Sequence, residues 1–178
     1  EHSEEVERMA SLVEDNGGVV FVPAFAGLGA PYWNQDVRGN LFGLTRGSNR
    51  SHIARAALES IAYQTFDVLD SMQKDSGLKI PSLKVDGGAT KNALLMQFQS
   101  DILNTKISIP ENSETTAMGA AYLAGLAVGF WKDMDEIKSK ISYQKELKPN
   151  MEQTSRLKLI SNWKRAVEAS IYLTKIND

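Results

Sequence analysis

The chain has 178 residues, 42% of them hydrophobic and 24% charged, which suits one globular domain with an ordinary core. A formal net charge of -2 gives no electrostatic case for nucleic acid, and the absence of cysteine removes disulfides, thiol nucleophiles and cysteine metal sites. His2 and His52 lie far apart, outside any metal-ligand spacing, and the longest uncharged apolar run, Met118 to Trp131, is too short to span a bilayer. With no signal peptide in view, a cytoplasmic protein is the default expectation.

Residues 1–17 read as an N-terminal helix. Glu1 to Asp15 carries six acids and one Arg, with Val6, Met9, Leu12 and Val13 at helical spacing. The chain starts without Met and the helix is already under way. A piece of a longer protein, continuing from upstream chain, is therefore expected; a trimmed complete protein is the alternative. Gly17-Gly18 stops this helix, and Val19–Val22 is a β-branched and aromatic strand ended by Pro23. Phe25 to Arg38 is a loop rich in Gly, Pro and aromatic residues. Its Tyr32 and Trp33 are expected to plug the core rather than form a binding surface. Gly39–Leu44 is a second short strand.

Ser51 opens a long helix reaching about Ser76, with Gly77 as its natural stop. Ile53, Ala57, Ile61, Val68 and Met72 form its expected inward stripe. Glu59, Tyr63, Gln64 and Asp67 form a polar flank in which Gln64 and Asp67 read as solvated. No paired-carboxylate chemistry is evident. A strand at Leu83–Val85, a helix at Asn92–Leu103 with Leu95, Phe98 and Ile102 inward, and a strand at Lys106–Ile109 make a βαβ-like unit with parallel pairing.

Thr115-Thr116 is expected to cap a helix in which Ala117, Ala121, Gly125 and Gly129 recur every four residues, a pattern for tight packing inside the domain. Asp133–Lys140 reads as a short polar helix and Ser142–Leu147 as an edge strand. A last helix starts at Pro149-Asn150, with Leu157, Ile160, Trp163, Val167, Ile171 and Leu173 inward. The sum is an α/β domain with helices covering a mixed sheet.

The centre of interest is Asp86-Gly87-Gly88, between a strand and a helix. Two glycines permit positive φ and leave room for a group lying on the backbone, and the ends of strands in α/β sheets are where ligands bind. By themselves these three residues fit a plain structural turn better than a ligand loop. No Gly-Lys-Ser/Thr follows, so a Walker-type cradle is excluded.

Gly39-Asn40-Leu41-Phe42-Gly43-Leu44, followed by His52-Ile53 and Ala56-Ala57-Leu58-Glu59, resembles the C-terminal signature of the FGGY family of carbohydrate kinases. Further stretches are similar to the glycerol kinases within it: Gly27 to Trp33, Leu58 to Thr65, Val85 to Ala89, Leu95 to Leu103, and Gly119 to Trp131. The match runs in unbroken order from Val19 onward.

The resemblance implies an actin-like ATPase (ribonuclease H-like) fold, with residues 1–178 a single domain making up most of the C-terminal, ATP-side domain. It implies phosphoryl transfer from Mg-ATP to glycerol, giving ADP and glycerol 3-phosphate in glycerol breakdown. It carries Gly88 and Asn92 over as nucleotide contacts, with Ala89 as a weaker third. A ring lying on Gly88 leaves no room for a side chain, and the Asn92 amide can bond a base edge or ribose. Asp86 reads as a turn or cap residue rather than a catalytic base.

The family's catalytic aspartate, glycerol contacts and phosphate loops belong to motifs that do not occur here. No catalytic residue and no Mg ligand is therefore assigned, and the chain alone is expected to be inactive. Some bacterial members dock a sugar-transport regulatory protein just after the Leu147-Lys148-Pro149 segment, through a glutamate that helps bind zinc. Ser155 stands at that place, so no metal site is expected. Glycerol and ATP are the implied partners of the parent protein, with self-association into a homo-oligomer and no nucleic acid or membrane. Two alternatives remain: the C-terminal domain of another family member, acting on xylulose or gluconate, and a non-enzymatic actin-like nucleotide-binding module.

Overall fold

A computed structural model describes residues 3–112 and 114–175. Helix α1 spans Ser3–Ala10, and Glu1 and His2 of the expected helix lie outside the described residues. It ends five residues short of the expected Asp15. Just beyond it, Asp15 Oδ1 accepts from the Gly17 N–H at 2.7 Å and Asn16 Oδ1 from the Gly18 N–H at 2.9 Å. Such local side-chain bonds offer the backbone an alternative to the helix.

Strands β1 (Val20–Val22) and β2 (Asn40–Phe42) pair as an antiparallel ribbon, with Phe21 opposite Leu41. The main sheet is mixed, as expected. Strand β3 (Ser82–Lys84) runs parallel to β4 (Lys106–Pro110), and β5 (Tyr143–Leu147) adds antiparallel to the far edge of β4.

The long helix α2 (Arg50–Ser76) starts one residue earlier than read from the sequence. Asn49 caps it, accepting from the N–H groups of Ser51 and His52, while the His52 ring accepts from the Asn49 N–H at 3.2 Å. This is a capping box in which histidine takes the usual place of Glu or Gln. Gly77, at φ 69°, closes the helix.

The inward face of α2 is a correction. Ala54, Leu58, Ala62 and Phe66 are buried, whereas Ile53, Ile61, Val68 and Met72 are exposed. The helix is apolar on two faces, and its packing partners settle which one is covered. The Tyr63 ring stacks on Trp163 at 5.2 Å and meets the edge of Phe98 at 5.5 Å. Trp163 belongs to α6 (Gln153–Thr174) and Phe98 to α3 (Ala93–Leu103); these three rings join Phe66, Ile102, Ile107 and Val167 in the main core. Asp67, read as solvated, is only 3% exposed.

Helix α4 (Thr115–Ala127) has no buried residue, so its small side chains do not seat it within the described domain. Trp131 folds back over Gly125, where an added Cβ would strike the indole. Gly129 lies beyond the helix, at φ 72°. The capping expectation for Thr115-Thr116 also fails: the N-cap is Glu114, with no side-chain capping bond. Asp133 caps α5 (Met134–Lys140) through the Asp135 and Glu136 N–H groups. The last helix begins at Gln153 rather than Pro149, and Leu157 and Leu173 face outward, while Ile160, Trp163 and Val167 are buried as expected.

Candidate functional site

The turn after β3 is built by its own short-range bonds. The Val85 N–H still reaches the Ser108 carbonyl of β4 at 3.1 Å, so the ladder holds to the edge of the turn. Gly87 then takes φ 86°, a conformation that side chains disfavour. Gly88–Lys91 form one 3-10 turn, in which Thr90 bonds the Gly87 carbonyl twice, through its N–H at 3.1 Å and its hydroxyl at 2.7 Å. Asn92 ends the turn and caps α3, its Oδ1 accepting from the Leu95 N–H at 2.8 Å. The turn sits at the C-terminal end of a parallel strand pair, where an α/β sheet offers a crevice for a ligand.

The structure brings Gly88, Ala89 and Asn92 together on this single turn. Gly88 and Ala89 are exposed and Asn92 is half-buried. At Gly88, as at Gly29 and Gly119, nothing within the chain requires glycine. The Gly88 φ is not left-handed, and an added Cβ would meet no atom within 4 Å. Asn92 spends its carbonyl oxygen on the cap, so its amide Nδ2 is the group left to face outward; it has no hydrogen-bond partner among the described residues. The three residues make an open shelf. The adjacent cleft of about 530 Å³ is lined by Thr90, Lys91, Met96, Ile109 and Glu111 among others, but by neither Gly88 nor Asn92.

Asp86 behaves as a structural residue of the turn. Its carboxylate accepts a hydrogen bond from the hydroxyl of Thr115, the first residue of α4. The sequence reads Thr115 only as a helix cap, because the partner of its hydroxyl lies 29 positions away. Among the described residues, no group of three or more His, Cys, Asp or Glu side chains is arranged to hold a metal ion.

Glu59 and Asp67 are buried carboxylates away from the turn. Glu59 accepts from Asn16 Nδ2 at 2.7 Å and from Arg55 Nε at 2.8 Å. Burial drives its pKa up, against the lowering effect of those two donors. Asp67 accepts from Trp163 Nε1 at 2.6 Å and the Tyr32 hydroxyl at 2.9 Å, and burial again raises its pKa above the usual carboxylate value. Burial and the nearby Asp67 charge push the Tyr32 phenol upward as well. Tyr32 is thus a plug, as expected, while its neighbour Trp33 is 78% exposed. The Arg55/Glu59 spacing was a readable i, i+4 pair; the role of Asp67 had no local signal.

Residues 1–128 match the model of the C-terminal domain of the FGGY family of carbohydrate kinases. The chain belongs to the FGGY family of carbohydrate kinases. Its α/β architecture is the actin-like fold of that family. A glycerol kinase of Oleidesulfovibrio alaskensis is 60% identical over 166 residues, covering 93% of this chain and 33% of the relative. The crystal structure of Plasmodium falciparum glycerol kinase with ADP is 42% identical, with a TM-score of 0.88 over 95% of this chain and 34% of that one. A ligand-bound xylulose kinase from Lactobacillus acidophilus is more distant, at 26% identity and a TM-score of 0.83, covering 95% of this FGGY chain and 35% of its own. The chain spans about a third of the length of the curated relatives it matches.

Proposed function

We propose that this chain is the nucleotide-binding part of a glycerol kinase, which transfers the γ-phosphoryl group of Mg-ATP to glycerol and yields ADP and sn-glycerol 3-phosphate. The observation that carries the reading is the likeness to glycerol kinases, 60% identity to one of them over 93% of this chain, and Gly88 agrees with it. A glycine with ordinary φ, exposed and with open space where its Cβ would be, has no intramolecular reason to be glycine. A flat ring lying on the backbone supplies one. Asn92 adds an oriented N–H donor for an acceptor on the base or ribose, and Ala89 adds a small side chain on the same shelf. Identity near 60% to glycerol kinases, against 26% to a xylulose kinase, favours glycerol as acceptor.

The shelf supplies binding surface and no chemistry. It holds no candidate base and no phosphate cradle, so the catalytic base, the glycerol contacts and the Mg²⁺ ligands fall to the remainder of the parent protein. Phosphoryl transfer needs positioning and charge stabilisation around the whole γ-phosphoryl group. The chain alone therefore does not phosphorylate glycerol. A cytoplasmic location and self-association of the parent protein belong to the same proposal; sedimentation of the parent protein reads out the latter.

The test is a coupled assay of ATP-dependent glycerol phosphorylation on the parent protein and on this chain alone, together with ADP titration of the chain followed by NMR. Turnover by the parent only, with shifts centred on Gly88, Ala89 and Asn92, supports the reading. Robust turnover by the isolated chain, or shifts clustered elsewhere, refutes it.

A further inference from the structure

We propose, on the reading of this chain as part of a longer kinase, that the uncharged outer face of α2 and the open edge of β3 form one docking surface, and that the preceding part of the parent chain covers it by adding a strand beside β3. From Ile53 to Met72 that face carries Ile53, Ala57, Ile61, Gln64, Val68 and Met72, with no charge over about 28 Å of helix. Ile61, Val68 and Met72 are 44%, 38% and 54% exposed. A solvated helix face carries charged side chains, as that of α6 does with Lys158, Arg165 and Glu168. A long helix that is apolar on two faces belongs inside a domain. Among the described residues nothing covers the second face, and α4 buries no residue against it or against anything else.

The sheet shows what the cover is. In the order β3-β4-β5, β3 is an edge strand, and it pairs parallel with β4. Parallel strands belong to sheets buried on both faces. The Val85 N–H points to β4, so by alternation the Lys84 N–H and carbonyl point to the open edge. Helix α3 crosses from β3 to β4. Helix α6 follows β5 and holds the end of α3, its Arg156 Nε donating to the Ile102 carbonyl at 2.7 Å. Helix α2 packs on α3 through Tyr63 and Phe98 and runs into β3 through residues 77–81. It thus lies on the β3 side of α3, over the ground that a strand beyond β3 would occupy. Such a strand pairs the open edge and turns alternate apolar side chains up to the stripe. The parent chain is its source: the matching family model is that of a C-terminal domain, and this chain covers only 33% of a glycerol kinase relative.

The experiment uses the parent protein, with Ile61→Cys and Val68→Cys on the stripe and Lys158→Cys on α6 as a surface control. Each variant is alkylated with iodoacetamide in buffer and in urea, and the modified peptide is quantified by mass spectrometry. Amide exchange is followed at Lys84. Ile61→Cys and Val68→Cys are expected to react at least about a hundredfold slower in the native parent than in urea, and Lys158→Cys within about tenfold. Lys84 should exchange at least about a hundredfold slower than an unpaired amide. Native rates at positions 61 and 68 that match position 158 overturn the docking surface, and exchange at Lys84 as fast as in an unpaired amide overturns the added strand. Protection that disappears when the parent is diluted to monomers assigns the cover to a second copy and overturns the proposal as well; protection that persists in the monomer supports it. Glycerol phosphorylation by the unmutated parent tests the kinase reading separately, and the alkylation rates decide the surface whichever way that assay falls.

Discussion

The carboxylate of Asp67 accepts a 2.6 Å hydrogen bond from the indole N–H of Trp163, 96 positions along the chain. The same oxygen accepts from the Tyr32 hydroxyl at 2.9 Å, so one buried acceptor joins the loop before β2, helix α2 and helix α6. Replacing it by Ala strands the buried Trp163 donor and the half-buried Tyr32 hydroxyl. Asp67→Ala is expected to destabilise the fold by about 2–4 kcal/mol, and Asp67→Asn, which keeps an acceptor, by about half as much. Urea unfolding of the three proteins measures this. Equal stability of wild type and Asp67→Ala would show that the node is not structural.

Glu59 gives a pH prediction. Its folded pKa is raised, chiefly by burial, against the pull of Arg55 and Asn16 and with a small contribution from Asp15. A carboxyl group raised in the folded state holds its proton longer there than in the unfolded chain. Its contribution to stability is therefore fully present below the unfolded pKa of about 4 and is lost as pH rises through the folded value. Glu59→Gln removes that titration. The difference in unfolding free energy between wild type and Glu59→Gln should drift against the wild type from about pH 4 upward, then level off. A difference that is flat with pH, or of opposite slope, contradicts the assignment.

Gly88 and Gly43 should separate cleanly. Gly43 has φ 77°, and an added Cβ would fall on the carbonyl of Gly18. Gly43→Ala is expected to cost about 2–4 kcal/mol of stability. Gly88→Ala meets open space at an ordinary φ, so stability should stay within about 1 kcal/mol, with a gain as the expected sign from a less flexible unfolded chain. On the nucleotide reading, the same change weakens ADP binding. Thermal unfolding and ADP titration on both variants decide the matter; a Gly88→Ala protein that is unstable but binds normally reverses the argument.

On the nucleotide reading, Asn92 has two jobs on two atoms. Its Oδ1 caps α3, and its Nδ2 is the donor assigned to the nucleotide. Asn92→Asp keeps the cap oxygen and removes the donor; Asn92→Ala removes both. The first should leave stability nearly unchanged and weaken nucleotide binding at least tenfold, while the second should also lose about 1 kcal/mol of stability. Matching losses of stability in both variants would mean that the cap model is wrong.

Much of this protein is legible in local sequence. The turn glycines, the strand–helix–strand unit and the edge strand at Tyr143–Leu147 follow from neighbours within a few positions, whereas Gly88, Ala89 and Asn92 are singled out by the resemblance to the family. The family is legible too, because its motifs are contiguous. What the sequence left open was decided by partners far along the chain. Helix α2 carries two apolar faces of comparable quality, and only the stacking of Tyr63 on Trp163 and its edge contact with Phe98 chose the one that is buried. The same packing turned Asp67 from an apparently solvated acid into a buried acceptor. Periodicity fixes which residues share a face, but which face is covered is a property of the assembled core, since burial rewards whichever apolar surface finds a complementary neighbour.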